Sequence, residues 1–194
     1  MLIKKIVALC KKNNTVHMLR GSDVEWLGNG IGYYPQIDMP EFTETTFCSA
    51  FDFTPKAAEK IHFDFSAEIP AGFDFSDCPA DEVECIYRDD ISIQYGGKVL
   101  MPVRTSDGIS YIDKAYLAPV VDGDTDLLKI FERHSSSGVQ YFAIKTGLMV
   151  VAVIMPYNAI NDTFADTLSH IAELTKVKLE IMKSATSGDE SNDA

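Results

Sequence analysis

The segment that most constrains this chain is GLMVVAVIMP, Gly147 to Pro156, where eight apolar residues run unbroken between a glycine and a proline. A membrane-crossing helix needs about 20 such residues, so the run is too short to span a bilayer in that form. Val150, Val151, Val153 and Ile154 are β-branched and favour a strand. A strand with no polar residue on either face has to be covered on both, which predicts a central strand in a sheet. No membrane association is expected.

The opening MLIKKIVALCKKNN has the basic and apolar parts of a secretory signal. Its apolar part is only Ile6 to Cys10, however, Lys11 and Lys12 close it, and no small-residue cleavage site follows. Cys10, Cys48, Cys78 and Cys85 form no C-x-x-C pair and have no histidine close by in sequence, so neither a disulfide framework nor a zinc site is expected. Free, mostly buried thiols and a cytoplasmic setting are the expectations.

The formal net charge of −12 is concentrated in one region. Asp38 to Asp90 contains fourteen acids against three bases, a net charge of −11. The first twelve residues, by contrast, hold Lys4, Lys5, Lys11 and Lys12 and no acid. A negative field repels phosphate, so nucleic-acid contact is left open only for local basic patches. The acidic stretch reads either as a solvated face or as a mimic of nucleic-acid charge directed at a DNA-binding enzyme. Asp77, Asp81, Glu82, Glu84, Asp89 and Asp90 are its candidate interaction residues.

Along the chain, KKIVALCKK is predicted to be a strand, Asn13-Asn14 a turn and TVHML its hairpin partner, followed by VEWL and, after GNG, IGYYP. The first 35 residues thus read as an antiparallel meander. Thr43 is placed to cap a short helix over TETTFCSAF, and Thr54 with Pro55 another over PKAAEK. Ser66 to Ala80, with Pro70, Gly72 and Pro79, is the candidate connector between two subdomains, and its phenylalanines predict that it packs down. DISIQY and KVLMPV flank Gly96-Gly97 as a hairpin, ISYI follows Asp107-Gly108, and DKAYL is a helical turn ended by Pro119.

Three more strands, DLLKIFERH, VQYFAIK and the Gly147 run, precede a helix starting at Asn161 or Asp162. Its Ile160, Phe164, Leu168, Ile171 and Leu174 or Thr175 share one face. Residues 177–183 suit a helix or a strand, and SATSGDESNDA is expected to be disordered. The reading is an α+β protein of mainly antiparallel sheets with a few short helices and one C-terminal amphipathic helix. It divides into residues 1–80, residues 81–183 and an acidic tail, 184–194.

Sequence motifs for chemistry fail one by one. GNGIG, Gly28 to Gly32, lacks the G-x-G-x-x-G spacing and leads into Tyr33-Tyr34-Pro35 rather than a helix, so a hairpin turn accounts for it. DGDTD, Asp122 to Asp126, offers the first acids of a calcium loop, but Leu127 and Arg133 stand where glycine and glutamate are required. HSSSG, His134 to Gly138, sets serines beside a histidine without the geometry of a triad, and a polar turn explains it. His17, His62, His134 and His170 show no metal-binding spacing.

No catalytic, cofactor-binding or metal-ligating residue is assigned on these grounds, and no cofactor is expected. Carboxylate pairs leave no local signature, so an enzyme is disfavoured rather than excluded. Trp26, Tyr33 and Tyr34 read either as core or as an exposed stacking platform for a base or a partner.

KKIVALCKK, VEWLGNGIGYYP, MPVRTSDGISYIDKAYLAPV and GLMVVAVIMPYNAIND resemble the recurring blocks of an uncharacterised family carried by prophages and integrative elements of Gram-positive gut bacteria, over Met1 to about Met182. The resemblance implies a bacterial cytoplasmic setting and a phage or mobile-element origin, and it assigns no activity. In the order of its elements alone, ISYIDKAYLAPV followed by three strands is similar to the subdomains of DNA sliding clamps. That implies two similar subdomains and a closed homo-oligomer around nucleic acid, a pattern from which the non-basic helix Asp162 to Lys176 departs. The expected function is a non-catalytic accessory that binds a protein partner. A sliding-clamp-like replication accessory and an acidic DNA-mimic inhibitor of a host enzyme are the alternatives.

Overall fold

The computed structural model describes residues 2–21, 24–121, 128–159 and 162–187. Its first element corrects the sequence reading, because KKIVALCKK lies not in a strand but in helix α1, Ile3–Asn13. Ile6, Val7, Leu9 and Cys10 recur at helical spacing and are buried, while Lys4, Lys5, Lys11 and Lys12 fall on the exposed side. A short apolar run flanked by lysines fits either period, and packing decides it here. Asn14 takes the left-handed conformation (φ 53°), and its N–H bonds back to Cys10 O and Lys11 O, which ends the helix.

Strands β1 (Thr15–Arg20), β2 (Glu25–Gly28) and β3 (Gly32–Pro35) then form the expected meander. Helices α2 (Glu44–Ala50) and α3 (Pro55–Ala58) begin where Thr43 and Thr54 accept hydrogen bonds from Thr46 N and Ala57 N. The strands that follow are β4 (His62–Asp64), β5 (Val83–Glu84), β6 (Ile86–Tyr87), β7 (Ile93–Tyr95), β8 (Lys98–Thr105) and β9 (Gly108–Asp113). A 3₁₀ turn at Lys114–Tyr116 leads to β10 (Leu128–His134), β11 (Gln140–Thr146) and β12 (Met149–Ile154), and helix α4 covers Asp162–Ser187.

The fold is mixed α+β with mostly antiparallel sheets. One sheet has eight strands in the order β4-β1-β2-β3-β12-β11-β10-β5, and the other has β8 at its centre, with β9 on one edge and β6 and β7 on the other. Strand β12, the apolar run of the sequence, pairs with β3 through Val153 and Tyr33 and with β11 through Val153 and Ala143.

Both faces of β12 are covered, as its composition predicts. Ala152 and Ile154 join a core with Leu27, Tyr34, Phe142, the α1 residues Ile6 and Cys10, and Met101, Val103 and Ile112 of the smaller sheet. Val150 and Val153 join a second core on the opposite face with Trp26, Tyr33 and Tyr141, closed by Phe73 and Phe75. The register slips between Ile144 and Lys145, which leaves Val151 as the extra residue of a bulge and lets Val150 and Val153, three positions apart, face the same core. The start of the run departs from the expectation: Leu148 is 78% exposed and Met149 57%.

Residue 80, the expected domain boundary, lies inside one compact unit, Met1–Tyr157, since β3 and β12 belong to one sheet. The Ser66 to Ala80 connector packs down as its phenylalanines suggest, but as the cover of a sheet face rather than as a link between subdomains.

The second unit is Asn158–Ala194 and holds α4. Residues 177–183 are helical, and so are 184–187, which corrects the expectation of disorder for the start of the tail. Residues 188–194, the DGDTD segment and the side chains of Ile160, Phe164 and Leu168 lie outside the described residues, while Ile171 and Leu174 of the expected apolar face are exposed.

Substituting Val153→Asp is expected to cost more than about 4 kcal/mol or to prevent folding, whereas Leu148→Asp stays within about 0.5 kcal/mol, as read by urea denaturation. Equal stability of the two variants would show that β12 is not buried.

Candidate functional site

The aromatic residues singled out in the sequence are core. Trp26, Tyr33 and Tyr34 are buried because β2 and β3 are interior strands with both faces covered, so they form no exposed platform. Tyr34 donates its hydroxyl to Tyr116 O at 2.7 Å, and the Tyr33 hydroxyl lies 3.2 Å from His17 Nδ1.

The GNGIG turn is built into the same interior. Asn29 Oδ1 accepts from Ile31 N and Gly32 N, while its amide donates to Leu9 O in α1 and to the Tyr116 hydroxyl. The loop is a structural joint rather than a phosphate cradle.

The acidic candidates divide by what they touch. Asp77 Oδ1 accepts the Val150 amide at 2.7 Å, Glu84 pairs with Lys129, and Asp90 pairs with Arg88. Asp81 and Asp89 are exposed, and Asp89 offers its main-chain carbonyl to Lys114 Nζ.

Glu82 is the most engaged. It holds two buried cations, Arg133 at 2.6 Å and Lys145, at the end of the second core. Arg133 also donates to the carbonyls of Asp74 and Ser76, and Lys145 lies over the Phe131 ring at 4.5 Å. These contacts fasten the connector to β10 and β11. They are buried and partnered, so they serve the fold rather than a visiting protein.

Removing one member of such a network strands the other charges. Arg133→Ala is therefore expected to cost about 3–5 kcal/mol, read from the urea midpoint at unchanged slope. A loss below about 1 kcal/mol would mean the network is solvated.

The opposite face of β10 carries a buried carboxylate. Ile130, Glu132 and His134 alternate onto the side that faces the smaller sheet. Glu132 is 2% exposed, yet it accepts from Ser106 N at 2.7 Å, Ser106 Oγ at 3.0 Å and Gln140 Nε2 at 2.6 Å. Burial pushes its carboxyl up, but those hydrogen bonds and the nearby His134 ring outweigh it and hold it below the usual carboxylate range.

Ser106 and Asp107 form the two-residue turn between β8 and β9, so this contact joins the two sheets. One donor atom each from Asp107, Glu132 and His134 lies within 4.8 Å of the others, the one His/Cys/Asp/Glu group of this kind among the described residues. Sequence reasoning missed it by placing His134 in a polar turn. The signal present was Glu132-x-His134 on a strand, which puts both side chains on one face, whereas Asp107 joins them only through the sheet packing.

The structure also brings together two histidines that are far apart in sequence. His17 and His62, on the paired strands β1 and β4, have ring centroids 6.2 Å apart, and burial pulls the His17 pKa down against the attraction of Asp64.

All four cysteines are free. Burial pushes the Cys10 thiol up to about 12, and burial followed by the Glu132 charge pushes Cys85 up to about 11. Cys78 is exposed. Iodoacetamide at about pH 8 is expected to modify Cys78 first and to reach Cys10 and Cys85 only after unfolding, as read by peptide mass spectrometry. Prompt labelling of Cys10 would contradict its burial.

An apolar pocket and an exposed row of side chains are further surface features. A 280 Å³ pocket between the sheets is lined by Met101, Leu117, Leu128, Ile130 and Ile144, with Asp89 and Lys114 as its charged members. On the smaller sheet, register places Ile86, Arg104 and Ile109 in one row and Pro102 and Tyr111 in the next, on the face turned away from the core. Ile86 is 67% exposed and Ile109 63%.

No family model, no curated protein and no solved structure matches this chain.

Proposed function

We propose that this protein is a non-catalytic accessory that acts by binding another protein through the outer face of its smaller sheet. The observation that supports this is the exposed row of Ile86 and Ile109, two large β-branched side chains left in water on a regular, hydrogen-bonded surface. Exposed Asp81 and Asp89 lie in the acidic segment from which β6 emerges, so the fitting partner presents an apolar patch framed by basic residues. A phage or mobile-element setting rests on the resemblance of the quoted sequence blocks.

The test compares partner capture by the full chain and by an Ile86→Asp, Ile109→Asp variant over a salt series. A protein retained by the parent, released by salt and lost with the variant at unchanged Tm supports the reading. Capture that ignores both substitutions refutes it.

A second reading, a clamp-like replication accessory, is favoured by one arrangement. α1 followed by β1, β2 and β3, and the 3₁₀ turn followed by β10, β11 and β12, meet in mirrored order at the β3–β12 pair. The exposed lysines of α1 would supply the polyanion contact. Light scattering with and without duplex DNA decides it: a closed oligomer that retains DNA is the expected result, and a monomer indifferent to DNA overturns it.

A further inference from the structure

The geometry points to Asp107, Glu132 and His134 as a binding site for a first-row divalent transition metal of the Zn²⁺ class. Three donors of different chains of contact converge there: a turn aspartate, a buried strand glutamate and the imidazole two residues beyond it, with mutual separations within 4.8 Å. His134 Nε2 and Glu132 Oε1 are 3.6 Å apart, close to the separation of about 3.4 Å that two ligands have around a tetrahedral zinc with bonds of ~2.1 Å. Asp107 sits on the exposed β8–β9 turn, with a carboxylate oxygen within 4.8 Å of the other two donors.

The charge balance supplies an independent argument. Two carboxylates meet with no lysine or arginine ion-paired to either among the described residues, and His134 is the one group in the set that can carry positive charge. On the opposite face of β10 the protein does the reverse, giving Glu82 two cations, Arg133 of β10 and Lys145 of β11. A divalent ion would offset the two like charges and fasten the β8–β9 turn to β10.

The surroundings are those of a held ligand. Ser106 N, Ser106 Oγ and Gln140 Nε2 fix the Glu132 carboxylate, and Gln140 is in turn held by Ser110 Oγ at 2.7 Å. Oε1, the oxygen nearest His134, accepts from Gln140 Nε2 and Ser106 Oγ, so a metal there would take the place of the Ser106 hydroxyl, which is free to rotate away. The imidazole selects zinc-like ions over magnesium and calcium, which prefer all-oxygen sites. Exposed Asp107 and His134 give access from solvent, and three protein ligands leave a coordination position for water or for a partner's side chain.

The experiment is calorimetric titration of the chelator-treated full chain with Zn²⁺, with Tm followed in parallel. One ion per chain is expected, with a raised Tm and no response to Mg²⁺. Asp107→Asn and His134→Gln, both at exposed positions, should each weaken binding about tenfold or more without changing the metal-free Tm. His62→Gln and Cys78→Ser should bind as the parent does. Absence of Zn²⁺ binding by the parent, or unchanged affinity in both site variants, overturns the proposal and leaves Glu132 as a purely structural tie between the sheets.

Discussion

The backbone of β12 has to find hydrogen-bond partners on both sides in a layer that water does not reach. A buried strand whose N–H and C=O groups went unpaired would forfeit more than its apolar side chains contribute. β11 supplies one side through a two-residue turn at Gly147, whose positive φ of 62° suits the tight reversal. β3 supplies the other, from residues far away in the chain. The meander of the first 35 residues and the three strands of the last third are thereby one sheet, and the connector, α1 and the smaller sheet are the covers that its two apolar faces require.

Inside those covers the polar groups are few, and among the described residues Gln36 Oε1 is the one buried side-chain atom without a hydrogen-bond partner. Asn29 and Asn13 both donate to the Tyr116 hydroxyl, and Tyr34 donates to the Tyr116 carbonyl, so one tyrosine from the 3₁₀ turn is held by α1, the GNG loop and β3. Such contacts add little net energy each, but an alternative packing would leave them buried and unpaired, which costs about 1–3 kcal/mol apiece. They select one arrangement of the elements among several that would bury similar apolar area. Glu132 does the same between the sheets, and Arg133 does it between the sheet and the connector.

What was legible in the sequence is local. Glycine pairs and threonine caps announced the hairpin at Gly96-Gly97 and the starts of α2 and α3, because each depends on residues within one turn. The composition of the Gly147 run announced its two-sided burial. What was hidden depends on residues distant in sequence. α1 read as a strand because five apolar residues between lysines fit both periods until a sheet face is there to receive one side. Nothing local in the sequence marks Arg133 and Lys145 as interior, because Glu82, which pairs with both, is more than fifty residues away. β4, a three-residue parallel edge strand, carries too little pattern to be seen at all.

The pairing of Tyr33 with Val153 also sets an order of events during synthesis. Long-range antiparallel contacts of this kind raise contact order and slow folding, since the loop must close before the contact is made. At translation rates of about 5–20 residues per second, the intervening ~120 residues take on the order of ten seconds to emerge. For that interval the free edge of β3, bearing two tyrosines, has no native neighbour. Its proline at the last position, which offers no N–H to a stray strand, is a local safeguard on a nascent chain whose central seam is joined last.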